Sequence, residues 1–369
     1  MRKVYRTKTV EHFPAHMDLV INGRSVRFAK VVWDSDGKEF GLRYGTNPDQ
    51  PAAMYLTQGQ ATIFSGMQWL QIGEKTPSLT NLQDGHRGLR LLSRFTLRDS
   101  RNTAVACMKH LNACGVAEKS YGNQPVVDVY RAARDSDRRA AYGGVAVFNC
   151  TVDEDAAREI ATTFVDVVYA PSYSPEAIAL LKTKPIMRVA AVPQIGTPGF
   201  NKSLFRSSPV IHVEDGIFTI EEPPRTALTI DGIRKLPVVT ARKPTEAEYS
   251  ELLRAWWTVS ETRSNGVVFW KDDATIAVST GGQDRIGAIE DGIAKAERNE
   301  KINGRKIDGS VVGSDGFPPK NDNIDALAAV GVRAIIHPGG SQNDEKVVAA
   351  CNQHDIAMVY TQVRRFAHF

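Results

Sequence analysis

Short apolar runs alternate with amphipathic segments through the first half of the chain. The apolar runs predict strands over residues 103–109, 145–148, 166–169 and 187–192. The amphipathic segments predict helices near residues 89–95, 126–134, 153–164 and 174–182, the first of them entered through a loop at 78–84. This alternation of strand and helix predicts an α/β domain.

The same alternation returns after residue 244, where a helix is predicted over 245–262. Its Trp256 and Trp257 are assigned to a core, because no basic stripe accompanies them as a base-stacking surface would require. The chain then reads as strands over 267–270, 275–279, 310–313, 333–337 and 357–360, with helices over 286–299, 324–330 and 344–353. The final strand–helix–strand–helix–strand order predicts parallel strands joined by right-handed crossovers.

Glycine and proline interrupt this rhythm between residues 194 and 245, with short predicted strands among them. A chain of 369 residues is long enough for two domains, and boundaries fall in such segments. We therefore expect a first domain over residues 1–215 and a second over 216–369.

An adjacent Lys109-His110 pair follows the apolar run Thr103–Met108, and Asn112 and Gly115 are expected to turn the chain. Ligands of open α/β sheets bind outside the carboxyl ends of strands, and a base beside a cation suits proton transfer there. The alternative is a polar pair that caps a strand at the surface. This stretch alone favours the alternative.

Two other stretches suggest anion binding. Arg43-Tyr44 lies in a predicted loop over 41–50, where a guanidinium and a phenol could grip a phosphate or could merely be an exposed Arg beside a half-buried Tyr. The pair Gly281-Gly282 precedes a predicted helix whose free N–H groups could receive an anion. Polar and glycine residues also follow all three C-terminal strands, where an α/β sheet binds its ligand.

Composition and charge exclude several classes of protein. The net charge is +4 without a run of five like charges, so neither a nucleic-acid tail nor a polybasic membrane segment is indicated. No apolar stretch approaches the roughly 18 residues of a membrane-spanning helix. The basic N-terminus lacks the apolar segment of a secretory signal, so a cytoplasmic location is expected.

The four cysteines form no C-x-x-C pair, which leaves a structural zinc site without support, and we expect no metal ligands. His212-Val213-Glu214 matches half of the zinc-deaminase signature, but the other half is missing and we treat the match as coincidence. Cys114, four residues after His110, could pair with it as a nucleophile. A small packing residue is the favoured interpretation.

Several of these segments, taken in order, resemble one known family. The matching pieces are Leu42-Arg43-Tyr44-Gly45 with Asn47-Pro48 and Gln50, Lys109-His110 with Asn112 and Cys114-Gly115, Tyr142-Gly143-Gly144, Ala170-Pro171, Ser264-Asn265, Gln283 with Arg285, Ser314-Asp315 with Asp322, Pro338-Gly339-Gly340-Ser341, and Arg364 with Phe366 and His368. They resemble the formyltransferase domain of the bifunctional enzyme 5-aminoimidazole-4-carboxamide ribonucleotide (AICAR) transformylase/IMP cyclohydrolase. The resemblance covers nearly the whole chain, and its ordered combination of motifs is specific.

The resemblance implies two cytidine-deaminase-like α/β/α subdomains without zinc, in agreement with the two predicted halves. It implies transfer of a formyl group from 10-formyltetrahydrofolate to the 5-amino group of AICAR in purine biosynthesis. It also implies a homodimer whose subunits share each active site and a bound potassium ion. Since the cyclohydrolase domain is not recognisable, the chain is expected to be a stand-alone transformylase.

The resemblance also assigns roles to single residues. His110 takes the position of the base, Lys109 that of the cation near the oxyanion or the leaving nitrogen, and Asn265 that of an amide donor at the reacting centre. Arg43, Tyr44 and Arg364 match residues that hold the nucleotide phosphate. The residues matched around the imidazole carboxamide and ribose are Asn81, Gly143, Asp166, Arg285, Phe366 and His368. Those matched on the folate side are Ile286, Phe317, Pro319 and Asp322.

The chain departs from the family at several of these positions. The family usually has phenylalanine where this chain has Pro318 and Lys320, and serine where it has Asp284. The first two changes question the folate contacts, and Asp284 is expected to add a carboxylate near the substrate. Two alternatives therefore remain: a diverged transferase with another aminoimidazole or another donor, and a nucleotide-binding regulatory protein that has lost turnover.

Overall fold

The computed structural model describes residues 11–21, 23–35, 37–59, 62–64, 66–95, 102–119, 124–195, 210–214, 217–221 and 228–368. In this part of the chain, no helix is long and apolar enough to cross a membrane.

The chain begins with small antiparallel sheets. Strands β1 (His16–Ile21), β2 (Arg24–Lys30) and β5 (Tyr55–Thr57) form one of them, and β3 (Trp33–Ser35) pairs with β4 (Lys38–Phe40) in a hairpin. The loop predicted over residues 41–50 contains neither helix nor strand, as expected from its Gly, Asn and Pro.

Eleven of the described strands form one mixed sheet. Their bounds are β6 Gln68–Gln71, β7 Thr103–Lys109, β8 Asn112–Lys119, β9 Val145–Phe148, β10 Val167–Ala170, β11 Arg188–Ala191, β14 Val267–Lys271, β15 Ala274–Ser279, β16 Val311–Ser314, β17 Ala334–His337 and β18 Ala357–Tyr360. Their order across the sheet is β18-β17-β16-β14-β15-β8-β7-β9-β10-β11-β6. The strands β16, β17 and β18 are parallel, which confirms the arrangement predicted for the C-terminal part.

Helices cover both faces of this sheet. They are α1 Leu79–Phe95, α2 Val126–Asp135, α3 Arg138–Ala141, α4 Glu154–Ile160, α5 Pro175–Leu181, α6 Ile230–Ile233, α7 Glu246–Val259, α8 Arg285–Asn303, α9 Asn321–Ala329 and α10 Asp344–Gln353. Side chains alternate along β7, so that Ala106 and Met108 join a core with α1 and α7, whereas Val105 and Cys107 join one with α2, α4 and α5. Trp256 and Trp257 are buried in the former core, as predicted.

The same arrangement of strands occurs in both halves of the sheet. In the first half, the hairpin β7–β8 is followed outward by β9, β10 and β11; in the second half, the hairpin β14–β15 is followed by β16, β17 and β18. The halves meet where β8 runs antiparallel to β15, with Ala117 opposite Ala274. They are therefore related by an approximate two-fold rotation. One end of the sheet, which we call the site end, gathers the amino ends of β9–β11 and the carboxyl ends of β16–β18.

Helix α1 begins at Leu79, ten residues before the predicted start at residue 89, so it takes up most of what the sequence predicted to be a loop. Asn81 accepts hydrogen bonds through its Oδ1 from the backbone N–H and the hydroxyl of Ser78, which closes the start of the helix. Asn and Asp favour loops and caps over helix interiors, so Asn81 and Asp84 made the first turns of α1 resemble a loop in the sequence. Helix α4 is shorter than predicted, because it ends at Ile160.

The segment between the halves contains a hairpin of β12 (Val210–Glu214) and β13 (Ile217–Glu221), followed by α6. His212 lies on β12, within a strand as expected. Residues 215 and 216, at which we expected the domain boundary, lie outside the described residues. The division into two domains stays a prediction.

Candidate active site

The pair Lys109-His110 lies at the tip of the β7–β8 hairpin. Lys109 pairs with Asn112, and the two residues between them turn the chain with φ of 52° at His110 and 69° at Leu111. Two central residues with positive φ are typical of a type I′ hairpin turn. The predicted turn at Asn112 and Gly115 is wrong: Asn112 opens β8, and Gly115 lies inside it, where a Cβ would approach the carbonyl oxygen of Ala133 to 2.1 Å.

Two side chains hold this turn. The Leu111 amide donates to Asp84 Oδ1 over 2.6 Å, and Asn112 donates from Nδ2 to the His110 carbonyl over 3.0 Å. Asn112 Oδ1 in turn accepts from the backbone amide of Arg263 over 2.9 Å. Asp84 is almost fully buried, and this burial raises the pKa of its carboxyl to about 6. The imidazole of His110 is therefore carried by a fixed backbone.

Lys109 is anchored at the start of β9. Its Nζ donates to the carbonyl of Tyr142 over 2.6 Å. Gly143 has φ of 71° and donates its N–H to Phe164, and a Cβ on Gly144 would come within 2.6 Å of the Met108 carbonyl. The adjacent glycines thus let the backbones approach closely, and they bring Gly143 beside Lys109.

Arg43 and Tyr44 lie in the same region, at the start of α1. Arg43 donates from Nη2 to the hydroxyl of Tyr44 over 2.9 Å, and its Cζ lies 4.4 Å from the centroid of that ring. Arg43 is 7% exposed, yet its Nε and Nη1 have no hydrogen-bond partner among the described residues. A buried guanidinium with free donors is costly, so this geometry suits an anion such as a phosphate.

Asp166 connects two further side chains at the amino ends of β10 and β11. Its Oδ2 accepts from Asn81 Nδ2 and its Oδ1 from Arg188 Nη1, each over 2.8 Å. Arg188 is buried, and together with Arg43 it outnumbers the single carboxylate of Asp166. The surplus positive charge adds to the case for an anion site here. We call Arg43, Tyr44, Asn81, Lys109, His110, Gly143, Asp166 and Arg188 the first cluster.

Sequence reasoning missed Asp84 and Arg188. A signal existed for Asp84, which is a polar residue within the apolar face of an amphipathic helix. Arg188 begins a strand that is otherwise apolar, and its ion pair with Asp166 depends on a parallel pairing that local sequence does not reveal.

Arg285, Asp315 and Asn265 form the centre of a second cluster. Arg285 donates from Nη1 to Asp315 Oδ1 over 2.7 Å and from Nη2 to Asn265 Oδ1 over 2.8 Å. Asn265 donates from Nδ2 to the carbonyl of Gly282 over 3.0 Å. The amide of Asn265 is thereby fixed in one orientation.

The C-terminal segment lies over this centre. Arg364 stacks on Phe366, with 4.4 Å between Cζ and the ring centroid, and the Phe366 and His368 rings are 5.9 Å apart. Gly316 lies directly beneath, since a Cβ there would approach Arg285 Nη2 to 2.6 Å and the Phe366 ring to 2.8 Å. Arg364, Phe366 and His368 are exposed, at the carboxyl ends of β16–β18 where ligand residues were predicted.

The residues matched to folate lie nearby. Phe317 is exposed, Ile286 is half-buried in the first turn of α8, and Asp322 is exposed in the first turn of α9. Pro319 accepts a hydrogen bond through its carbonyl from Asn343 Nδ2 over 2.9 Å. With Asn265, Arg285, Asp315, Arg364, Phe366 and His368, they make up the second cluster.

Asp284, one of the departures from the family, caps α8. Its Oδ1 accepts from the amide of Gly287 over 2.8 Å. Serine and aspartate are both favoured at this position of a helix, so the substitution keeps the cap. It also occupies one of the N–H groups that the sequence suggested for an anion.

Both clusters lie at the site end, but within one chain they occupy different positions along the sheet. Asp166 precedes β10 and Asp315 follows β16, six strands away, or roughly 29 Å at about 4.8 Å for each step. Three steps, roughly 14 Å, separate the strands next to Lys109 and Asn265. The expectation that ligand residues lie at the carboxyl ends of the strands is met by the second cluster only, because the first cluster lies at the amino ends of β9–β11.

Comparison with known proteins identifies the family. The sequence pattern of the AICARFT/IMPCHase bienzyme family matches residues 9–295, most of the chain. The chain belongs to this family. Among its relatives is the bifunctional purine biosynthesis protein PurH of Magnetococcus marinus, which is 35% identical over 351 residues and covers 94% of this chain and 63% of that protein. The PurH protein of Aquifex aeolicus is 36% identical, with 89% and 59% covered.

The PurH protein of Listeria monocytogenes is 32% identical and matches 98% of this chain. The chain spans about three fifths of the length of these relatives. A solved structure titled as protein ybgI of unknown function has a TM-score of 0.12 at 13% identity, covers 58% of this chain and 70% of its own, and carries no argument.

The cysteines of this family member are packing residues. Cys114 is buried, and burial raises the pKa of its thiol well above the usual range, so the thiolate of a nucleophile is disfavoured. Within the described ranges, no group of three or more His, Cys, Asp or Glu side chains could hold a metal ion. We assign no ligands to the potassium ion that the resemblance implies.

Proposed function

We propose that this chain is an AICAR formyltransferase, which transfers a formyl group from 10-formyltetrahydrofolate to the 5-amino group of AICAR in purine biosynthesis. Membership of the AICARFT/IMPCHase bienzyme family supports the proposal, as does the fact that its relatives are named as purine biosynthesis proteins. The observation that carries it is the fixed turn that holds His110 beside the anchored Lys109. A base next to a cation is what acyl transfer to an amine requires.

The amine of AICAR is conjugated with the imidazole and is a poor nucleophile. In the proposed reaction its nitrogen attacks the formyl carbon, the carbonyl electron pair moves to oxygen, and His110 accepts the proton that the amine loses. Collapse of this intermediate breaks the bond to the folate nitrogen, which takes up a proton and leaves as tetrahydrofolate. Lys109 stabilises the oxyanion or the departing nitrogen, and a preorganised donor of this kind is worth about 3–4 kcal/mol.

We assign the nucleotide phosphate to Arg43 and Tyr44, with Arg364 as a further cation. The free donors of the buried Arg43 support this assignment. The residues proposed around the imidazole carboxamide and ribose are Asn81, Gly143, Asp166, Arg285, Phe366 and His368. We assign the folate to Ile286, Phe317, Pro319 and Asp322.

We propose that the active site is completed by a second copy of the chain. Asp166 of the first cluster and Asp315 of the second are separated by roughly 29 Å along the sheet, too far for one mononucleotide to contact both. Tyr142, Phe317 and Phe366 are 62%, 37% and 40% exposed at the site end, and a second copy would cover them. A homodimer with two shared sites follows from this arrangement.

The two halves are proposed to be cytidine-deaminase-like subdomains without zinc. Their identical strand order supports this division. The ligands are proposed to be small molecules and not nucleic acid, because no basic run occurs in the sequence. The cytoplasmic location stays a prediction from sequence.

The proposal is tested by mixing the protein with AICAR and 10-formyltetrahydrofolate and following the release of tetrahydrofolate. We expect release by the wild-type protein and loss of turnover in His110→Ala, with AICAR binding retained in calorimetry. Since Pro318 and Lys320 replace aromatic residues of the family, AICAR binding without turnover on mono- or polyglutamylated folate would favour the transferase with another donor. Turnover near wild type in His110→Ala would remove that residue as the base.

A further inference from the structure

We propose that Asp84 is a positioning residue, which holds the His110 imidazole in place for proton transfer by gripping the backbone of the turn beneath it. This inference rests on the proposed function. Asp84 touches no reacting atom in this assignment; it acts through His110.

The grip is a hydrogen bond to the second residue of the turn, in which Asp84 Oδ1 accepts from the Leu111 amide over 2.6 Å. Both turn residues, His110 and Leu111, carry side chains at positive φ, a conformation that costs about 1–2 kcal/mol per residue without compensation. The carboxylate stabilises a conformation that the turn would otherwise leave, and with it the direction of the imidazole.

Helix α1 is held firmly enough to serve as the support. A Cβ on Gly85 would approach the Tyr169 ring to 2.5 Å, and one on Gly88 would approach Val147 Cγ2 to 2.6 Å. These glycines let the helix lie directly against β9 and β10. Asp84, next to the first of them, is thereby fixed relative to the sheet, and the hairpin tip is fixed to Asp84.

The second half of the chain contains a corresponding carboxyl contact, made to the first residue of its turn instead of the second, and without the same chemistry. Glu251 is the sixth residue of α7, as Asp84 is the sixth of α1, and its Oε1 accepts from the amide of Asp272 over 2.8 Å. Asp272 and Asp273 form the tip of the β14–β15 hairpin with φ of 50° and 61°. This turn lies at the opposite end of the sheet and carries no base–cation pair. Removing Glu251 therefore measures the structural cost of losing such a grip.

The experiment compares Asp84→Ala with Glu251→Ala in steady-state kinetics and in hydrogen exchange of the turn amides. Asp84→Ala should increase exchange at Leu111 and lower kcat by about 100-fold, with little change in the KM for AICAR, because a displaced base slows chemistry more than binding. Glu251→Ala should increase exchange at Asp272 and leave kcat unchanged. Asp84→Asn keeps one acceptor oxygen and should restore part of kcat.

A double variant separates action through His110 from any other role. In a His110→Ala background, Asp84→Ala should cause little further loss of the residual rate measured in single turnovers at high enzyme concentration, because the two residues act as one unit. Full additivity of the two losses, or an equal loss of kcat in Glu251→Ala, would overturn the inference. If Asp84→Ala does not fold, Asp84→Asn carries the same comparison of kcat with KM.

Failure of the proposed function gives a different result. A wild-type protein that binds AICAR but releases no tetrahydrofolate contradicts the reaction and leaves the grip open to test by exchange alone. Unchanged protection of Leu111 in Asp84→Ala would then overturn the grip itself.

Discussion

Lys109 and Lys271 occupy equivalent places in the two halves of the sheet. Each ends the first strand of a central hairpin, and each donates from Nζ to a backbone carbonyl 2.6 Å away, that of Tyr142 or of Asp308. Each carbonyl precedes a glycine with positive φ, Gly143 or Gly309. The contact is thus part of the scaffold, and only one of the two lysines is followed by a histidine.

This equivalence provides a matched pair of substitutions. Lys109→Met should lower kcat by about 100- to 1,000-fold if its charge stabilises the transition state. Lys271→Met removes the same contact at the far end and should change only the free energy of unfolding, by a similar small amount in both variants. Kinetics and urea denaturation measure the two effects, and equal kcat values would remove Lys109 from the reaction.

Arg43 should contribute to AICAR affinity through the phosphate. We expect Arg43→Met to raise the Kd for AICAR by roughly 10- to 100-fold, the loss typical of a hydrogen bond to a charged group. The unphosphorylated nucleoside should bind both proteins equally in calorimetry. Arg27→Met, which removes an exposed arginine, serves as control. An equal loss for nucleoside and nucleotide would contradict the assignment.

The free energy of unfolding should depend on pH through the carboxyl groups of Asp84 and Glu251, which bind the two hairpin turns. Burial raises the pKa of Asp84 to about 6 and that of Glu251 to about 7, above the values of unfolded carboxyls. The folded protein therefore binds more protons, and this contribution to stability is present below about pH 4 and is lost as the pH rises through the folded pKa. His110 and Asp166 are the titratable groups that face Asp84, with opposite effects on its pKa.

Denaturation with urea between pH 4 and 8 tests this expectation. The stability of wild type relative to Asp84→Asn should fall by at most about 3 kcal/mol across this range, since two pKa units correspond to that energy. Glu251→Gln should show the same direction with its change nearer neutral pH. Parallel curves for wild type and Asp84→Asn would contradict a raised pKa.

Subunit sharing predicts recovery of activity on mixing. His110→Ala and Asn265→Ala should each be inactive as homodimers, because every site then lacks one residue. If His110 of one subunit acts with Asn265 of the other, a mixed dimer contains one intact site, and random mixing restores about a quarter of wild-type activity. The control is a mixture of His110→Ala with Lys109→Met, which should restore none. No recovery after verified subunit exchange would place both residues of a site in one chain.

The sequence predicted most elements of the sheet, and the motif order predicted the family. The parallel C-terminal strands and the buried Trp256-Trp257 pair were confirmed because period and crossover order are local properties. The start of α1 at Leu79 was missed, because capping by Asn81 and burial of Asp84 require tertiary partners that the local pattern does not contain.

The position of the first cluster in the sheet could also not be predicted from the sequence. Lys109 does end its strand as predicted, but β7 runs antiparallel to β9, so its neighbours Gly144 and Asp166 lie at the beginnings of their strands. The relative direction of two distant strands is decided by how they pair, which the local sequence does not reveal. The same is true of the pairing of Ala117 with Ala274, through which β8 and β15 join the two halves. The roles of the site residues stay predictions.

The contact between β8 and β15 makes the two halves dependent on each other during folding. Strand β8 is buried from Ala113 to Glu118, and β15 is buried along its whole length. If the chain were cut between Ile195 and Leu228, each fragment would present one of these strands as a bare, mostly apolar edge, the kind of surface that recruits other strands and aggregates. The two fragments should therefore be insoluble when produced separately, and they should recover solubility only when they are produced together and β8 pairs with β15.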